Sequence, residues 1–168
     1  MEIIKENEDL KKLNNTDLTY IVSTSKQISP ILTFKDHIYG VSDFCQSIID
    51  PSEVSTVSFD KTIKVYDIES MKIKRSLEEH NAGVWTIDYS YSTSCFLTGG
   101  NDNQIILWDS RSQKSIAKNN YHTNTVYDVK FSSNDKYFAS CSKGTLCIWD
   151  VANFNSPLQT IKGIISIM

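Results

Sequence analysis

Along most of the chain, hydrophobic positions come in short alternations or brief apolar runs, as in Val126, Val129 and Phe131, then Tyr137-Phe138-Ala139, then Leu146, Ile148 and Trp149. Successive side chains of a strand point to opposite faces, so this pattern predicts short β-strands. Breakers separate them: Gly99-Gly100-Asn101-Asp102-Asn103, Ser110-Arg111-Ser112, Ser132-Ser133-Asn134-Asp135, Ser142-Lys143-Gly144 and the stretch Asn153 to Pro157. These residues supply turns. Around the middle of the chain the spacing predicts four strands, at about 83–89, 95–99, 104–109 and 113–118. Two more are predicted at 19–23 and 31–34, the second being the outer-strand partner that precedes His37. No helical stripe of useful length follows residue 17. Ahead of it, Ile3, Leu10 and Leu13 would line one side of a short helix, but an isolated helix of that length is marginal in water. Residues 1–17 are read as a polar N-terminal arm.

The strand pattern repeats. Tyr66-Asp67, Trp108-Asp109 and Trp149-Asp150 recur at intervals of 42 and 41, and the chain's three histidines, His37, His80 and His122, recur at 43 and 42. From histidine to aromatic the spacing is 29, 28 and 27 residues. A fixed period in this range is the signature of repeat architectures, where each unit buries its faces against its neighbours. The units fall at about 37–79, 80–121 and 122–163.

These residues resemble the WD40 family, whose repeat carries an early histidine, a tight Asp-containing turn and a terminal Trp-Asp. HNAGVWTIDYSYSTSCFLTGGNDNQIILWD and HTNTVYDVKFSSNDKYFASCSKGTLCIWD carry the likeness, as does VSFDKTIKVYD with Tyr for Trp. The resemblance covers roughly 33–163. It implies an all-β chain of four-stranded antiparallel sheets, the blades of a β-propeller, in a domain spanning 18–168. It further implies a structural hydrogen-bond set in each blade, made of the loop histidine, a strand hydroxyl, the turn aspartate and the strand aromatic. In the first unit the matching positions are His37, Ser58, Asp60 and Tyr66. In the second they are His80, Asp102 and Trp108, with Gly100 at the hydroxyl position and the bonds therefore expected to be broken or bridged by water. The third keeps His122 and Trp149, has Cys141 at the hydroxyl position, and turns through Lys143-Gly144 one residue short and without aspartate.

A histidine with an aspartate and a hydroxyl also invites a catalytic reading, which needs an accessible nucleophile and an oxyanion hole. One set per repeat, decaying from unit to unit, reads instead as structural, and no enzymatic activity is expected. Nor does the chain offer a phosphate cradle, since no G-x-x-x-x-G-K-[ST] occurs and Gly99-Gly100 precedes a turn rather than a helix. Cys45, Cys95, Cys141 and Cys147 form no C-x-x-C pair. They are read as reduced, buried thiols, with no metal, no cofactor and a cytoplasmic or nuclear setting. The net charge of −3 lacks the positive field that phosphate-backbone binding needs, so nucleic acid is set aside. No apolar run approaches the roughly 20 residues of a membrane span, and no small-molecule substrate suggests itself.

What remains is protein binding. Sites on rigid scaffolds sit on the loops they hold out, and the loops entering each unit share one end with the turns that carry Asp60 and Asp102. Candidate contact residues there are Tyr39, Asn81, Asn101, Asn103, Asn124 and Lys143. Trp108-Asp109-Ser110-Arg111 resembles the W-D-x-R ending of WD-repeat substrate receptors that dock on the adaptor of cullin–RING ubiquitin ligases, with Arg111 as the docking residue. Residues 151–158, taken with 80–85, resemble WD-repeat proteins of the diphthamide pathway, which implies a methylesterase. The principal reading is a non-catalytic interaction scaffold, a subunit or adaptor of a larger complex.

Length then becomes informative. Propellers close at about four to eight blades, and 168 residues hold three. The sequence is therefore read as a partial or open propeller: a fragment, a truncated product, or a set of blades completed by another chain.

Overall fold

A computed structural model describes residues 33–163. Twelve strands follow one another: β1 (Val41–Gln46), β2 (Glu53–Ser58), β3 (Ile63–Asp67), β4 (Lys72–Leu77), β5 (Val84–Tyr89), β6 (Cys95–Gly100), β7 (Ile105–Asp109), β8 (Ser115–Asn119), β9 (Val126–Phe131), β10 (Tyr137–Ser142), β11 (Thr145–Asp150) and β12 (Gln159–Lys162). They form three four-stranded sheets, each pairing its strands in sequence order, and every pairing is antiparallel. The described residues contain no helix. Of the elements expected ahead of His37, the arm and the strand at 19–23 lie outside the described residues. Thr33 and Phe34, the described part of the strand expected at 31–34, belong to no strand.

Apolar residues at alternate positions place the core between consecutive sheets. Val57, Ile63 and Leu77 of the first sheet meet Val84, Ile87, Tyr89, Phe96, Ile106 and Trp108 of the second. Leu97, Ile105 and Leu107 on the second sheet's other face meet Val126, Val129, Phe131, Phe138 and Trp149 of the third. The second sheet is therefore apolar on both faces, as a stacked repeat requires of an inner unit. Polar bonds set the spacing. The Ile87 N–H donates to Asp43 Oδ2 at 3.0 Å and the Phe131 N–H to Asp88 Oδ2 at 2.7 Å, each from one sheet's innermost strand to the next.

Register fixes which loops come together. Val41 pairs with Ser58, Val84 with Gly100 and Val126 with Ser142, so the loops entering β1, β5 and β9 share one end of the sheets with the turns β2–β3, β6–β7 and β10–β11. The β7–β8 turn, with Arg111, lies at the other end, because Asp109 pairs with Cys95.

Candidate functional site

The histidines mark three hydrogen-bonded sets, and the hydroxyl in each differs from the one expected. His80 Nδ1 meets Asp102 Oδ2 at 2.9 Å, His80 Nε2 meets Thr98 Oγ1 at 2.7 Å, and the Trp108 indole N–H donates to the same hydroxyl at 2.9 Å. A Thr hydroxyl has one proton. Accepting from the indole, Thr98 donates to Nε2, and His80 keeps its proton on Nδ1, facing the carboxylate. In the first sheet Thr56 takes that place, 2.7 Å from His37 Nε2, while Asp60 Oδ2 lies 2.9 Å from Nδ1. The Tyr66 phenol bonds Thr56 and Asp36; burial, reinforced by the Asp36 charge, pushes its pKa up to about 12. In the third sheet Ser140 stands 2.7 Å from His122 Nε2 and accepts from the Trp149 indole at 2.8 Å.

Ser58, Gly100 and Cys141 are therefore not the hydroxyl positions. Ser58 Oγ donates to the Gly40 carbonyl at 2.9 Å, closing the loop entering β1 onto the β2–β3 turn. Gly100 marks no broken chain. A Cβ there would sit 2.9 Å from the Gly83 carbonyl oxygen, and the set two residues earlier is continuous. Cys141 is one residue beyond Ser140 on a strand, which turns it to the opposite face. Only Cys147 is buried; Cys45, Cys95 and Cys141, expected to be buried, are half-exposed, and all four thiols are free. Cys45 nevertheless packs against the core between the first two sheets, and that partial burial, with the nearby Asp88 and Asp43 charges, pushes its thiol well above the ordinary thiol range, which suppresses the reactive thiolate.

Asp, His and hydroxyl stand in the order of a catalytic triad, yet in the second sheet the hydroxyl is enclosed. Thr98 is fully buried and its oxygen is shared by two partners. No substrate carbonyl can reach it. Burial raises the Asp102 carboxyl, and bonds from His80 and from the Asn81 and Gln104 N–H groups more than offset this, leaving it below the ordinary carboxylate range. Asp60 is likewise buried but held far below that range by Thr62, the Ile38 N–H and His37.

The third set lacks the aspartate. Lys61, Asn103 and Gly144 each adopt positive φ, at 75°, 64° and 69°, and so occupy one turn position. The residue missing from the third turn is the one that would match Asp60 and Asp102. Among the described residues no carboxylate faces His122 Nδ1, and burial alone lowers that imidazole below its ordinary value. The sign of the pH dependence follows. A lowered folded pKa means the unfolded chain binds the proton more readily, so this contribution is present above about pH 6.5 and lost as pH falls below it. The lowered Asp60 and Asp102 hold their stabilisation until pH drops through the acid carboxylate range. Amide exchange corrected for intrinsic rates, compared at about pH 5.5 and 7.5, is expected to speed up over β9–β12 more than over β1–β8; a uniform change would contradict this.

The candidate contact residues divide between two ends. Tyr39, Asn81, Asn101 and Asn124 are exposed at the histidine end, as is Lys143 in the third turn, and Tyr39 is 66% exposed. Asn103 is half-buried and spends its N–H on the Gly100 carbonyl. Asn101 is tied in: its Oδ1 accepts from the Trp85 indole at 2.6 Å and from Thr125 Oγ1 at 3.1 Å. Arg111 is far from this group and its fork is occupied, with Nε and one Nη each 2.9 Å from the Asp109 carboxylate. Unforeseen from the sequence was an aromatic ladder at the histidine end. The Phe59 and Trp85 rings meet edge-on at 5.0 Å, and Trp85 and Tyr127 at 5.9 Å. Trp85 and Tyr127 each lie five residues after a histidine, on strands and not on the loops where contact residues are expected.

Compared with known proteins, three stretches, 28–67, 71–109 and 113–150, match the family model "WD domain, G-beta repeat". The chain belongs to the WD-repeat family. Its three sheets are thus WD40 blades, unclosed among the described residues. Each matched stretch ends on an aromatic-Asp pair, at Asp67, Asp109 and Asp150. Among curated proteins the chain is similar to WD repeat-containing protein 37 of Mus musculus, 27% identical over 135 residues, covering 79% of this chain and 27% of that protein. It is similar to the ribosome biogenesis protein WDR12 homolog of Ixodes scapularis, at 31% over 139 residues (80% of the chain, 32% of that protein), and of Nematostella vectensis, at 28% over 163 residues (94% and 38%). The chain spans between a quarter and two-fifths of the length of these relatives. No helix among the described residues is long and apolar enough to cross a membrane.

Proposed function

We propose that these blades act as a non-catalytic scaffold for protein partners, in the cytoplasm or nucleus, with the histidine end as the contact surface and no cofactor or nucleic acid involved. The observation that carries the reading is the contrast between the ends of each hydrogen-bond set. The polar groups that look catalytic are buried and bonded to one another, whereas the loops they rigidify present exposed Tyr39, Asn81, Asn124 and Lys143. The likeness to ribosome biogenesis proteins agrees with work inside an assembly.

A second contact surface follows from the stacking. Ala139, Leu146 and Ile148 on the third sheet's outer face are half-buried. Leu97, Ile105 and Leu107, at the same register in the second sheet, are covered by the third. A further sheet, from a longer form of the chain or from another chain, fits this face. The shallow hollow there is lined by Asp128, Lys130, Ala139, Cys141 and Leu146.

Adaptor docking through Arg111 would have to displace Asp109, and an esterase would need a hydroxyl that is not spent. Native purification is expected to recover a stoichiometric protein partner, retained equally by wild type and Arg111→Ala, with no ester hydrolysis. Absence of any partner, or turnover abolished by His80→Asn, would sink the scaffold reading.

A further inference from the structure

The ladder has features that blade packing does not require. Phe59 leaves from the β2–β3 turn, Trp85 from β5 and Tyr127 from β9, so three rings from three sheets form one continuous surface. Each remains between 36% and 40% exposed, while the other two tryptophans, Trp108 and Trp149, are fully buried. The ladder is also held still. The Trp85 indole is fixed by Asn101, and Phe59 lies against the loop entering β5, where a Cβ on Gly83 would come within 3.0 Å of its ring. Tyr39 and Ile38, 66% and 84% exposed, extend the apolar surface, because the Phe59 N–H donates to the Gly40 carbonyl and binds the two loops together.

The turns at this end carry both signs of charge, but the two signs are not equally available. The Asp60 and Asp102 carboxylates are consumed by their own histidines and loop N–H groups. Lys61, two residues beyond Phe59, is exposed. Lys143 is exposed as well, and holds in the third turn the place that Phe59 and Asn101 hold in the first two. Rigid aromatic rings present a large contact area at low entropic cost, and lysines at the rim select for carboxylates.

Resting on the scaffold reading, we propose that the Phe59–Trp85–Tyr127 ladder anchors an extended peptide segment of a partner protein in which apolar side chains alternate with Glu or Asp. Alternate residues of an extended segment point the same way, so apolar groups sit on the rings while carboxylates remain free to reach Lys61 and Lys143.

The probe is a fluorescein-labelled synthetic peptide of alternating Leu and Glu, followed by anisotropy, with a Leu/Lys peptide as its charge-reversed control. Saturable binding of the Glu peptide is expected, weakened roughly tenfold or more by Phe59→Ser with Tyr127→Ser, and again by Lys61→Glu with Lys143→Glu. All four positions are exposed, and an unchanged urea midpoint shows that the variants fold. Binding of both peptides alike, or of the Glu peptide to the ring variant as to wild type, overturns the proposal. A stoichiometric native partner held equally by the ring variant overturns the ladder as the anchor and leaves the scaffold reading standing.

Discussion

Thr98→Val is expected to destabilise the chain by about 2–5 kcal/mol, although the substitution conserves volume, because each buried group left unpaired costs about 1–3 kcal/mol. Two groups lose their partner at once. Thr98 Oγ1 serves both His80 Nε2 and the Trp108 indole N–H, in a fully buried position. The Val side chain can offer neither a proton to the imidazole nor a lone pair to the indole. Set against the 5–15 kcal/mol that holds a typical domain together, this is a large fraction. Thr98→Ser separates the two roles of the residue: it keeps the hydroxyl, loses one methyl group, and is expected to cost only about 1 kcal/mol. Urea unfolding should show the Thr98→Val midpoint falling far below that of Thr98→Ser, at similar slope. Equal midpoints would mean that the hydroxyl is not the centre of the set.

That Thr98 holds this place was only half legible. The period of 41 to 43 residues and the four strands per unit follow from spacing alone, whereas the histidine sets are what the resemblance to WD40 repeats implies. The depth of the hydroxyl follows from neither. Residues i and i+2 of a strand share a face, so Thr56 and Ser58 present the same pattern, and so do Thr98 and Gly100. Only the reach of the imidazole and the indole into the sheet separates them. The spacing does contain the answer once the histidine-to-aromatic drift is divided at the hydroxyl. Histidine to hydroxyl is 19, 18 and 18 residues, and hydroxyl to aromatic is 10, 10 and 9. The first change is one extra residue between β1 and β2, and the second is the lost aspartate of the third turn. The ladder was hidden for a different reason. Trp85 and Tyr127 occupy strand positions where an apolar residue ordinarily means core, and no one-dimensional pattern shows that the chain's end of each sheet leaves them uncovered.

Gly99 is the position where the sheets' spacing is felt most directly. The sequence counts Gly99 both as the end of the strand expected at 95–99 and as the start of a breaker; it lies within β6, and a Cβ at that point would fall 2.5 Å from Val126 Cγ1 and 3.1 Å from Thr86 Cγ2. The third sheet approaches the second through the missing side chain. In the first sheet the same register position is Val57, which packs in the core beside Val84, so the requirement belongs to this interface and not to the repeat. Gly99→Ala is expected to destabilise by about 1–3 kcal/mol through overpacking, even though Ala is the better residue in an ordinary strand. Val126→Ala leaves a void and is expected to cost about 1–3 kcal/mol through lost burial and the cavity term. Combined, the two should cost less than their sum, since the new Cβ occupies the space Cγ1 vacates, and contacting residues commonly couple by about 0.5–3 kcal/mol. A double-mutant cycle in urea measures that coupling. Strict additivity would mean that the interface can widen at no cost, and that the glycine is there for the strand's own conformation rather than for the approach of the third sheet.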